Sequence, residues 1–84
     1  MPKVTLYTRI GCHLCDDAKE VLEAVRREKP FELDVVDVDT DPALVALYTD
    51  EVPVITIEGR KAFKYRVDAA ALRAKLDRAV EGTP

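Results

Sequence analysis

The segment Val4-Thr5-Leu6-Tyr7-Thr8 alternates in character and is rich in β-branched and aromatic residues, so it reads as a strand. Arg9-Ile10-Gly11 then turns the chain. From Cys12 to about Lys29 the apolar positions Leu14, Ala18, Val21, Leu22 and Val25 share one stripe of a helix. Asp16, Asp17 and Glu20 fall early in that helix and Arg26, Arg27 and Lys29 fall late, the order that complements its dipole. Pro30 ends it. A strand that feeds a helix and then a second strand needs a right-handed crossover and a parallel pairing, so this stretch alone calls for an α/β sheet.

Phe31 to Val38 reads as the second strand. Its apolar phase slips between Val35 and Val36, which predicts a bulge there or burial on both faces. Asp41-Pro42 has the form of an N-cap followed by proline in the first helical position. The short helix it opens is expected to face inward with Leu44, Leu47 and Tyr48. Pro53 to Ile57 is a third strand, Glu58-Gly59 a hairpin turn, and Lys61 to Tyr65 a fourth strand whose lysines suit a sheet edge. Asp68 caps a last helix, with Val67 and Leu72 as a hydrophobic staple and Leu72, Leu76, Ala79 and Val80 as its buried stripe. The order β-α-β-α-β-β-α gives a four-stranded mixed sheet flanked by helices on both faces, in a single domain over residues 1–84.

Hydrophobic residues make up 48% and charged residues 35% of the chain, a folding composition. A net charge of −3 gives no support for binding nucleic acid or an anionic membrane. No apolar run has the length of a membrane span, and Met1-Pro2-Lys3 leads into a strand without a signal-peptide core. These features predict a cytoplasmic protein. Structural disulfides are rare in that compartment, so a close cysteine pair there points to catalysis or metal binding.

The chain has two cysteines, and both lie in Cys12-His13-Leu14-Cys15 at the helix start. In disulfide exchange the nucleophile is a thiolate. A helix start presents unpaired N–H groups and the positive end of the dipole, which favours the thiolate of Cys12. Cys15 lies one helical turn on, within reach and less exposed. Cys12 is therefore expected to attack a substrate disulfide, and Cys15 to resolve the mixed disulfide. His13 adds positive charge beside Cys12 when protonated, or simply faces water. Arg9 either attracts an anionic substrate and supports the thiolate or is a solvated loop arginine.

Tyr7-Thr8-Arg9 leading into Cys12-x-x-Cys15, and Glu51-Val52-Pro53-Val54 ahead of the third strand, resemble the glutaredoxin branch of the thioredoxin superfamily. The element order matches over nearly the whole chain. The resemblance implies a dithiol–disulfide oxidoreductase that acts on a disulfide-containing protein or a small thiol substrate. It implies that Pro53 is cis and faces the cysteine pair, that the backbone of Val52 pairs with an extended substrate, and that Arg9 contacts a glutathione carboxylate. It further implies a monomer without a tightly bound cofactor, supplied with electrons by glutathione or by a reductase. The chain departs from glutathione-dependent members at His13-Leu14, where they have proline and an aromatic. It departs again at Phe63-Lys64-Tyr65-Arg66-Val67-Asp68, which lacks their glycine pair. The electron donor stays open on these grounds.

The competing reading is a metal or iron–sulfur carrier that uses Cys12 and Cys15, with His13 as a third soft ligand. Structural zinc takes four protein ligands, so such a site calls for a second copy of the chain. Arg60, Lys61, Lys64 and Arg66 form a basic cluster that either guards a strand edge or guides an acidic partner.

Overall fold

The structure, a computed structural model, describes residues 2–48 and 51–81. The alternating run forms strand β1 (Lys3–Thr8), with Val4 and Leu6 buried on one face and Thr5 and Tyr7 turned to the other. Helix α1 (His13–Glu28) follows and buries Cys15, Ala18, Leu22 and Val25. Strand β2 (Glu32–Asp37) returns parallel to β1, from Lys3 opposite Glu32 to Thr8 opposite Asp37. A single 3-10 turn (Val38–Thr40) leads into helix α2 (Pro42–Tyr48). Strands β3 (Val54–Ile57) and β4 (Arg60–Lys64) form a hairpin, and helix α3 (Ala69–Glu81) closes the described chain.

The sheet order is β2-β1-β3-β4, with β3 antiparallel to both β1 and β4. The predicted α/β architecture is the observed one, with the thioredoxin-like order of elements. One face carries the main core, where Val4, Leu6, Ile55 and Ile57 meet Ala18, Leu22 and Val25 of α1, Phe31, and Leu72 and Leu76 of α3. On the opposite face Tyr48 of α2 packs on Tyr7, ring centroids 4.8 Å apart. No helix among the described residues is long and apolar enough to cross a membrane.

Local chemistry explains the joints. Asp41 accepts from the Ala43 N–H at 2.9 Å and Asp68 from the Ala71 N–H at 2.8 Å, so each caps the helix that follows. Val67 packs on the cluster that holds Leu72, as a staple requires. At the hairpin Glu58 and Gly59 have φ of 52° and 80°, the two left-handed residues that a tight I′ turn demands. Lys61 and Lys64 do lie on an edge strand.

Three local expectations need correction, and one cannot be judged. β2 pairs with β1 in unbroken register, and it is the other edge strand. The slip at Val35-Val36 is therefore neither a bulge nor two-sided burial; Val35 is 48% exposed because an edge strand is only partly covered. The ladder irregularity lies elsewhere, between Ile55 and Thr56 on the β3–β4 side. Leu47 does not face inward and is 63% exposed. The inner face of α2 centres on Leu44, Val45 and Tyr48, all half-buried. At about 100° per residue, Leu47 sits roughly a quarter turn or more from that centre. Leu14 lies on the apolar stripe of α1 but is exposed, on a surface groove that it lines with Val21, Tyr65 and Val67. The side chain of Val80 lies outside the described residues.

Arg73 of α3 clasps Glu28 at the end of α1 through two hydrogen bonds, of 2.7 and 3.2 Å. These bonds, with the guanidinium charge, hold the Glu28 carboxyl below its ordinary value of 4.5. A lowered carboxyl stabilises the fold above its unfolded pKa, and that contribution is lost as pH falls through the folded value. Both side chains are exposed, so the effect is small. Glu28→Gln is expected to flatten the fall in melting temperature between about pH 5 and about pH 3, read by circular dichroism.

Candidate active site

Strand β1 delivers the chain to the cysteine pair through one tight turn. The Cys12 N–H donates to the Arg9 carbonyl at 3.3 Å, and Gly11, third residue of that turn, has φ of 81°. A type II turn requires a positive φ at this position. No atom lies within 4 Å of where a Cβ on Gly11 would sit, so the demand on glycine is conformational and not steric.

Cys12 is the N-cap of α1, with extended backbone (φ −91°, ψ 109°). Its sulfur accepts from the Cys15 N–H at 3.1 Å, the role a serine or aspartate oxygen plays in other caps. Cys12 and Cys15 are joined as a disulfide, their Cα atoms 5.2 Å apart. Cys12 is half-buried, whereas Cys15 is only 2% exposed. A molecule arriving from solvent therefore meets the sulfur of Cys12 first.

The Val52–Pro53 peptide bond is cis. Tyr7 pairs with Val54, so Val52 and Pro53 extend beyond β3 at the end of the sheet where Thr8 leads to the cysteine turn. Pro53 is buried and Val52 half-buried. The Pro53 carbonyl accepts from the Tyr65 N–H at 2.8 Å. The main-chain groups of Val52 have no hydrogen-bond partner among the described residues.

The other expected site residues are placed differently. Arg9 spends its guanidinium on Asp39, through Nε at 3.2 Å and an Nη2 contact at 3.1 Å. His13 is exposed on the first turn of α1, and its imidazole makes no hydrogen bond or ion pair among the described residues. No three His, Cys, Asp or Glu side chains among the described residues are grouped to hold a metal ion.

Three further residues escaped the sequence pattern. Ile10 is 92% exposed beside the cysteine turn, although a residue of its kind normally argues for core. Tyr65 has φ of 67°, which is rare for a bulky residue, and lines a groove with Leu14, Val21 and Val67. Glu51 receives two lysines, Lys61 at 2.9 Å and Lys64 at 3.6 Å. Half of the basic cluster is thereby committed to an internal carboxylate. Of these, Glu51 carried a signal only as a member of Glu51-Val52-Pro53-Val54, and its lysines only as edge-strand charges.

Comparison with known proteins places this geometry. An uncharacterised protein of Mycobacterium tuberculosis is 35% identical over 88 residues, covering 99% of this chain and 91% of its own length. A protein of Nitrosomonas europaea, solved by solution NMR, superposes with a TM-score of 0.78 at 33% identity, over 88% of this chain and 89% of its own. A mutant thioredoxin of Halobacterium salinarum shares the fold at 20% identity, with a TM-score of 0.73 over 99% of this chain and 78% of its own. The family model of the glutaredoxin-like domain (DUF836) matches residues 3–77, a span that takes in the cysteine turn, the cis proline and most of α3. With a cysteine pair at the start of α1 and a cis proline leading β3, the chain belongs to this glutaredoxin-like family.

Proposed function

We propose that the protein is a dithiol–disulfide oxidoreductase that reduces polypeptide or small-molecule disulfides. The cysteine pair within a glutaredoxin-like fold fits a redox function. The observation that carries the finer reading is the asymmetry of the pair, with Cys12 reachable and held by a helix-terminal N–H, and Cys15 covered. In the reduced protein the Cys12 thiolate attacks one sulfur of the substrate disulfide. A mixed disulfide forms, and the first substrate thiolate leaves. Cys15 loses its proton and attacks the Cys12 sulfur, which closes the Cys12–Cys15 bond and releases the second thiolate. Two electrons pass from protein to substrate, and an external dithiol or two thiols restore them. The Cys15 N–H that bonds to the Cys12 sulfur in the disulfide is placed to bond to its thiolate in the reduced form.

The partners follow from the same chemistry. Val52 offers main-chain groups to an extended substrate at the end of the sheet where the cysteines lie. The bidentate pair with Asp39 leaves Arg9 less free for a glutathione carboxylate, which weighs toward a reductase as donor. The test is to oxidise the protein and offer it reduced glutathione or a thioredoxin–thioredoxin reductase couple separately. Faster re-reduction by the reductase couple is expected, and turnover by neither donor would count against the reading. Metal and absorbance analysis of the purified protein checks the carrier alternative.

A further inference from the structure

The segment that carries Val52 and Pro53 is fastened on both sides. After the cis bond, the Pro53 carbonyl accepts from the Tyr65 N–H at 2.8 Å. Before it, the Glu51 N–H donates to the Tyr48 carbonyl at 3.0 Å, and the Glu51 carboxylate receives Lys61 and Lys64 of β4. Lys61 also lies 5.7 Å from the centre of the Tyr48 ring, and that ring rests on Tyr7 of β1. The carboxylate thus connects the segment before the cis proline to β4 and, through the tyrosines, to the strand that leads to the cysteine turn.

This ion pair differs from the others. Among the described residues Glu51 is the one carboxylate that gathers two lysines. Its side chain is 28% exposed, against 45% for Asp39 and 53–56% for Asp34, Asp77 and Glu28. Solvent screens it least. Val52, the next residue, has main-chain groups with no partner among the described residues. A main chain kept open for pairing must be held by its neighbours, because any freedom it has is lost when substrate binds.

We infer that Glu51 is a positioning residue for substrate, holding Val52 in register for main-chain pairing through Lys61 and Lys64. The inference rests on the proposed disulfide reduction. The side chain of Glu51 is paired with Lys61 and Lys64 and is assigned no contact with the reacting sulfurs. It acts on the segment that meets the substrate. The Lys61 hydrogen bond also holds the carboxyl below its ordinary value, which favours the charged form that the lysines pair with.

The test compares the reduction of insulin, whose disulfides sit in a polypeptide, with that of bis(2-hydroxyethyl) disulfide, which has no main chain to pair. Dithiothreitol supplies electrons to both reactions. Glu51→Gln should raise KM for insulin about fivefold more than KM for the small disulfide, with kcat on insulin within about twofold of wild type. The double variant Lys61→Gln/Lys64→Gln should give the same rise, and adding Glu51→Gln to it should give no more, as members of one unit behave. An unchanged insulin KM in Glu51→Gln overturns the inference. So does a rise shared equally by both substrates and accompanied by a lower melting temperature, since that marks mere loss of structure. Wild-type protein inert toward both substrates refutes disulfide reduction itself, and the role of Glu51 falls with it.

Discussion

Cys12→Ser is expected to reduce disulfide turnover by about a thousandfold or more, because a serine hydroxyl cannot form the mixed disulfide on which the exchange depends. The loss should leave the fold intact. A serine oxygen at the N-cap accepts from the Cys15 N–H as the sulfur does, so the start of α1 keeps its cap. Cys15→Ser has a different expected outcome. Cys12 can still attack, but nothing resolves the product, so the mixed disulfide accumulates and is seen by mass spectrometry under non-reducing conditions. The contrast follows from exposure, since Cys15 at 2% is shielded from a polypeptide disulfide. Equal trapping by both variants would overturn the assigned order of attack.

The second large effect is on stability. Phe31 is 1% exposed and sits in the cluster where α1, α3, β1 and β3 meet. Removing a buried phenylalanine ring costs about 3–5 kcal/mol, from the lost transfer energy and the cavity left behind. A domain of this size has about 4–13 kcal/mol in total. Phe31→Ala should therefore lower the melting temperature by roughly 15–30 °C, and shift the urea midpoint correspondingly. Leu47→Ala is the paired control. Both residues are large and apolar, yet Leu47 is exposed, and its loss should change stability by about 0.5 kcal/mol or less. Similar losses from the two variants would contradict the burial described above.

That pair also marks how far the sequence can be read. The strands, the helix starts at Asp41 and Asp68, and the hairpin at Glu58-Gly59 were legible because each depends on local chemistry. Leu47 and Val35 were not, because their exposure depends on how much of a short helix or an edge strand the rest of the molecule covers. Periodicity says which residues share a face, and not how wide the covered part of that face is. The candidate site divides in the same way. Cys12 and Cys15 announce themselves by spacing, and Pro53 by resemblance to a family. The pairing of Arg9 with Asp39 spans 30 positions, and only the return of β2 beside β1 brings the two together. Tyr65 is still less legible, since nothing in its neighbours demands the left-handed backbone it adopts.

The hydrogen bond from the Cys15 amide to the Cys12 sulfur has a consequence for recognition. That donor already faces the sulfur while the two cysteines are joined, and it is part of the first turn of α1. Under the proposed exchange, adding two electrons leaves the helix cap in place and gives Cys12 a sulfur that this donor is placed to hold as a thiolate. Under that same proposal, a reductase that selects the oxidised molecule and a target that selects the reduced one must tell them apart chiefly by charge. The distinction they read is electrical, and raising ionic strength should blur it by making the two redox forms compete more evenly for either partner.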